Sequence, residues 1–287
     1  MINKKFLKKK HEGNMIAMNN AAQNSNNASE KLYILGYGLL NISELDSGGK
    51  LNVLFQNGIG ISLIQNIFEL YKKEIISKRQ GNSIIPLDAF TIHIQYFKNG
   101  EKNISVFIYM EEKEPTVPVN FPKLYFLSKK INKKILSNVP ISEITKFFES
   151  EIEIPKTDGV IAIFIIGSTG SPFISKINKK RSNIADHEVH IGGFISALLS
   201  FSNTIIGEET GAKLKEINFG NQQFYVISKS NVIFAFLVEN MNQLLQRYMY
   251  LIADEFLFDF RNYIKEFNGD VTPFNEFESK INQYFII

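Results

Sequence analysis

IFIIGSTGSPFISK, residues 163–176, decides how this chain is built. An apolar run meets two glycines and then turns apolar again. A phosphate-binding loop needs its glycines between a strand and a helix, because the helix N-terminus supplies the backbone donors. Here Gly170 is followed by Ser171, Pro172 and the strand-like FISK. The Walker lysine with its Ser or Thr is absent, and so is the third glycine of the dinucleotide pattern. The stretch therefore predicts a β-hairpin turn, and with it an antiparallel sheet.

Working outward from that hairpin, residues 159–166 and 172–177 form two strands. The basic loop NKKRSNIAD and a helix capped at Asp186 follow, the helix carrying Val189, Phe194, Ile195, Leu198 and Leu199 and stopping at Gly207. Three more strands are expected over 213–219, 223–228 and 232–239, with turns at Gly220-Asn221 and Ser230-Asn231. A long helix over 240–267 and a short one carrying Phe274, Phe277 and Ile281 close the chain.

The first half repeats this order. Strands are expected over 31–40 and 51–56, then an amphipathic helix with Ile61, Ile64, Ile67, Phe68, Tyr71 and Ile75 at helical spacing. SIIPL is an edge strand in which Pro86 removes a ladder donor. Residues 89–97 and 103–110 make a hairpin around Asn99-Gly100. Two helices follow, over 120–136 and 141–151. The pattern breaks at IPKTD, so the boundary between halves is expected near 154–158.

Composition narrows the chemistry. The chain has no Cys and four His, which excludes disulfides, thiolate metal sites and a Cys nucleophile. The formal charge is +3, but the first ten residues hold five lysines; with Glu12 counted, residues 13–287 carry −1. A near-neutral body argues against nucleic acid as partner. Residues 1–30 are expected to be a disordered basic and Asn-rich tail, with Met15 and Met18 as alternative starts. In the functional reading Lys4, Lys5, Lys8, Lys9 and Lys10 touch an anionic membrane surface; in the plainer one they are solvated.

The remaining candidates are few. The glycines of GIGIS, residues 58–62, open a helix and admit either a small anion or close backbone packing. His187-Glu188-Val189-His190 has i, i+3 spacing instead of the i, i+4 of a zinc helix, so metal is not expected. His93 sits on the polar phase of TIHIQYF and is expected to face solvent. Glu111-Glu112 and Glu208-Glu209 are expected to be loop charges. Lys179, Lys180 and Arg181, with His187, are the candidate contacts for an acidic partner. No serine has the nucleophile-elbow context.

The element order resembles a tandem of longin domains of the SNARE-like superfamily. The resemblance is carried by GVIAIFIIGSTGSPFISK, DHEVHIGGFISALLSF and KLKEINFGNQQFYVISKSNVIFAFLVEN over the second half. In the first half it runs from KLYILGYGLL to FFESEIEI. It implies an α+β chain with a longin-like domain over 31–154 and another over 158–287. Each domain is a five-stranded antiparallel sheet with one inserted helix and C-terminal helices. It further implies a cytoplasmic, non-enzymatic platform without cofactors, peripheral at membranes if the tail binds them. Its partner would be a small GTPase or another longin- or roadblock-type protein, as a homo- or heterodimer where the Phe- and Tyr-rich last helices stay uncovered. The alternative is a small-molecule sensor of the same fold, with a pocket between sheet and helices.

Overall fold

The computed structural model describes residues 31–45, 48–87, 89–113, 119–167, 169–178, 188–202 and 214–287. The hairpin reading of the opening stretch holds. β8 (Val160–Gly167) and β9 (Pro172–Ile177) pair antiparallel, and the turn closes through Gly170 N–H to the Gly167 carbonyl at 2.9 Å. Gly170 has φ +88, and its carbonyl packs on Gly192, where an added Cβ would come within 3.0 Å of it. The glycines serve a tight turn pressed against a helix.

The first half contains β1 (Leu32–Tyr33), β2 (Gly36–Ser43), β3 (Lys50–Asn57), α1 (Ile61–Lys78), β4 (Gly81–Pro86), β5 (Phe90–Asn99), β6 (Asn103–Glu112), α2 (Phe121–Leu136), α3 (Ile141–Glu151) and β7 (Ile152–Glu153). After β8 and β9 come α4 (Glu188–Ser202), β10 (Glu216–Phe219), β11 (Gln222–Lys229), β12 (Val232–Val238), α5 (Gln243–Asp259), α6 (Arg261–Lys265), a 3-10 turn (Thr272–Phe277) and α7 (Glu278–Tyr284). The two five-stranded sheets run β3-β2-β6-β5-β4 and β10-β11-β12-β8-β9, antiparallel throughout. With strands numbered within each sheet, both orders are 2-1-5-4-3, each with a helix between its second and third strands. The fold is α+β with two longin-like units.

Helices cover both faces of each sheet. In the first, Ile92, Ile94 and Tyr96 pack toward Ile64, Phe68 and Ile75 of α1, while Phe97, Phe107 and Tyr109 pack toward Leu124, Ile131 and Phe148 of α2 and α3. In the second, Phe164 and Ile166 meet Ile195 and Leu199 of α4, and Ile163 and Ile165 face the α5–α7 layer. This explains why VIAIFIIG and VIFAFLV are apolar at nearly every position: central strands buried on both faces lose the period-2 polarity of a half-exposed sheet.

Some local details differ from expectation. The first strand splits, because Leu32–Tyr33 pairs parallel with β7 and only Gly36 onward enters the large sheet. SIIPL is the edge strand expected, β4, but Pro86 removes no ladder bond, because Leu87 N–H is the one that bonds the Phe90 carbonyl. The long helix breaks at Phe260, whose ring is 2% exposed and turns into a cluster with Phe256, Phe274 and Phe277. Asn242 starts α5 as its N-cap, its side chain accepting from Leu245 N–H at 2.7 Å.

Candidate interaction edges and the cleft between the units

The segment Gln56–Gly60 leads from β3 into α1 and is where the two units meet. Gly58 has φ +72, and a Cβ there would lie 2.3 Å from the Leu35 carbonyl oxygen and 2.8 Å from Gly36 Cα. Of the two readings of GIGIS, close backbone packing is the one realised at Gly58. Its amide donates to the Tyr284 hydroxyl at 3.1 Å, and its carbonyl accepts from the Arg247 guanidinium. The N-terminus of α1 lacks both a side-chain cap and an acid in its first turn. Asp254 of α5 stands there instead, its Oδ2 3.7 Å from where a Gly60 Cβ would be. A carboxylate from the second unit therefore faces the positive end of the first unit's inserted helix.

Beside Asp254, Glu255 is only 3% exposed. Its Oε1 accepts from Gln56 Nε2 and lies 3.3 Å from the Tyr284 hydroxyl, and its Oε2 lies 3.6 Å from Lys280 Nζ. Burial pushes the Glu255 carboxyl up, against the lowering pull of Lys280. Lys280 also bonds Asp259 at 2.8 Å. Burial pushes the Arg247 guanidinium down; it lies over the rings of Phe90 and Tyr248, one in each unit. Sequence reading missed this network, although a signal exists. Glu255 falls on the apolar stripe of its helix, four residues after Leu251 and three after Ile252, both buried.

Two clefts flank the end of β3. The larger, about 750 Å³, is lined by Leu51, Asn52, Val53, Phe55 and Gln56 of β3, Ile61, Gln65, Phe68 and Glu69 of α1, Phe258 and Asp259 of α5, and Lys280 of α7. The smaller, about 310 Å³, has Tyr37 and Asn57 on one wall and Ser279, Asn282 and Gln283 on the other. Burial is the largest effect on the Tyr37 phenol, which is pushed up to about 12.

His93 is not solvent-facing. It is 5% exposed, shares a 2.6 Å hydrogen bond with Glu111, and lies under the Phe121 ring at 4.7 Å between centroids. Glu111 is 8% exposed and belongs to β6, so it is not a loop charge. The polar phase of TIHIQYF faces α2, a second covering layer that local alternation cannot reveal. Next to this pair in the ladder, Ile84 on edge strand β4 is 60% exposed, and Phe121 is 43% exposed.

Lys179, Lys180, Arg181, His187, Glu208, Glu209 and the tail lysines Lys4, Lys5, Lys8, Lys9 and Lys10 lie outside the described residues. So do the Asp186 cap and Gly207. His190 is exposed on α4, and among the described residues no group of three His, Asp or Glu could hold a metal. No helix among them is long and apolar enough to cross a membrane.

No protein-family model and no curated protein matches the chain. Among solved structures, it is similar to a Roadblock/LC7 domain from Streptomyces avermitilis, at 12% identity and a TM-score of 0.29; the match covers 36% of this chain and 86% of that one.

Proposed function

We propose that the chain is a non-enzymatic interaction module with units over 31–154 and 158–287, whose partner is a small GTPase or another longin- or roadblock-type protein. The observation that carries this reading is the free edge of β4. It ends a sheet already covered on both faces, and it exposes Ile84 beside the half-exposed Phe121. A sheet sealed above and below has its rim left for extension across a partner. Exposed Leu70 on α1 and Phe126 on α2 add apolar area outside the cores.

The test is capture by the full chain from cell extract loaded with GDP or with a non-hydrolysable GTP analogue. A small GTPase retained in one nucleotide state, and released by Ile84→Lys, is the expected result. Retention of no nucleotide-sensitive partner overturns the GTPase reading.

A further inference from the structure

We infer that the larger cleft between the units is a docking groove for an extended basic peptide, bearing apolar side chains, from a partner protein. The inference deepens the interaction reading by giving one of its surfaces a ligand chemistry.

One wall of the groove is the free edge of β3, which pairs with β2 on its other side. Edge strands are normally blunted by charge, proline or shortness. The edge strand β9 carries Pro172 and Lys176, β10 has four residues, and β4, open from Gly81 to Ile85, is closed by Pro86 only at its end. β3 has eight, and after Lys50 its sequence LNVLFQN holds neither a charge nor a proline. Its last residues are already engaged by the second unit, through Gln56 to Glu255 and Asn57 to Tyr284. The free stretch is therefore the first part of the strand, up to the bulge at Leu54. An extended segment laid along it gains main-chain hydrogen bonds, the means by which strand addition gives affinity.

The lining sets the side-chain chemistry. Val53, Phe55 and the 56%-exposed Phe258 offer apolar contacts. The charges are Glu69, Asp259 and Lys280. Lys280, the one cation among the described lining residues, is already held between Glu255 and Asp259. Glu69 has no ion-pair partner among the described residues, so the groove presents net negative charge. A peptide alternating basic and apolar residues matches it on both counts, because alternate side chains of a strand point to opposite faces.

The test uses fluorescence anisotropy of the synthetic peptide KVKIKVK and its acidic counterpart EVEIEVE against the full chain. The basic peptide is expected to bind and the acidic one not. Glu69→Lys and Phe258→Ala, both at solvent-accessible positions and checked for unchanged circular dichroism, should each weaken binding about tenfold, roughly 1.4 kcal/mol. A KVKIKVK peptide N-methylated at alternate amides should lose binding, since it cannot add to a strand edge. Equal binding of the acidic or the methylated peptide, or no effect of either substitution, overturns the groove. Tighter binding to a chain lacking residues 1–12 assigns the groove to this chain's own tail and overturns the partner assignment. Nucleotide-dependent capture that survives Glu69→Lys, alongside failed peptide binding, sinks the groove while leaving the GTPase reading standing.

Discussion

The Tyr284 hydroxyl lies 3.3 Å from Glu255 Oε1 while also accepting the Gly58 amide and lying 3.1 Å from Asn57 Oδ1. The phenol has one proton and two acceptors within reach. An ionised Glu255 competes with Asn57 for it. A protonated Glu255 donates to the phenol oxygen and lets Tyr284 donate to Asn57, so each contact of the Tyr284 hydroxyl is met. Burial pushes Glu255 toward that protonated form, while the Lys280 ammonium, 3.6 Å from its Oε2, pulls against it.

Glu255→Gln should therefore be tolerated, and it should remove a pH dependence. A carboxyl raised in the folded chain stabilises it fully below its ordinary value of 4.5, and that contribution is lost as pH rises through the raised value. Thermal unfolding should show the native chain losing ground to Glu255→Gln as pH climbs from 4.5 toward neutral. Gln56, Tyr284, Lys280 and Asp259 surround the group and are common to both proteins. A native chain that gains on the variant with rising pH refutes the assignment.

Gly58 and Gly100 share φ +72 but not their surroundings. Nothing lies within 4 Å of a Cβ at Gly100, whereas at Gly58 it meets backbone at 2.3 Å. Gly100→Ala should cost about 1 kcal/mol, the backbone term alone. Gly58→Ala adds a collision with the start of β2 and should cost about 3 kcal/mol or more. Denaturant melts of the two variants compare them directly, and equal losses would contradict the close-packing role of Gly58.

Removing one member of the His93–Glu111 pair should hurt more than replacing both. Glu111→Ala takes the buried imidazole's 2.6 Å partner and should cost about 2 kcal/mol. The double replacement His93→Phe with Glu111→Leu should recover part of that loss, as buried polar pairs exchanged for apolar ones often do. Urea unfolding of both variants is the measurement.

Two phenylalanines on α5, two residues apart, should differ sharply. Phe256 is fully buried, with Phe234, Phe260, Phe274 and Phe277 at centroid distances of 5.8, 5.0, 5.4 and 5.2 Å. Phe256→Ala should cost about 3–5 kcal/mol. Phe258, at 56% exposure, should cost under about 0.5 kcal/mol when cut to Ala. Chemical denaturation of the pair reads this difference directly.

The local alphabet of this protein was legible without coordinates. IFIIGSTGSPFISK names its hairpin because Gly170 is followed by proline and a strand-like run. The spacing of Ile64, Ile67, Phe68 and Ile75 names α1, and the repeated element order points to paired five-stranded sheets. These are properties of chain neighbours, and short-range sterics and periodicity specify them. The surroundings of His93, Glu111 and Glu255 were not legible in that way. Alternation along β5 marks which residues share a face, but only the packing of α2 makes that face an interior. Glu255 is an acid on an apolar stripe, a signal that the sequence reading passed over, and its partners come from positions 56, 280 and 284. Gly58 meets Gly36 across its own sheet, and it meets Tyr284 only once both units are in place. Burial and polar pairing depend on what lies across space, so the tertiary structure alone decided them.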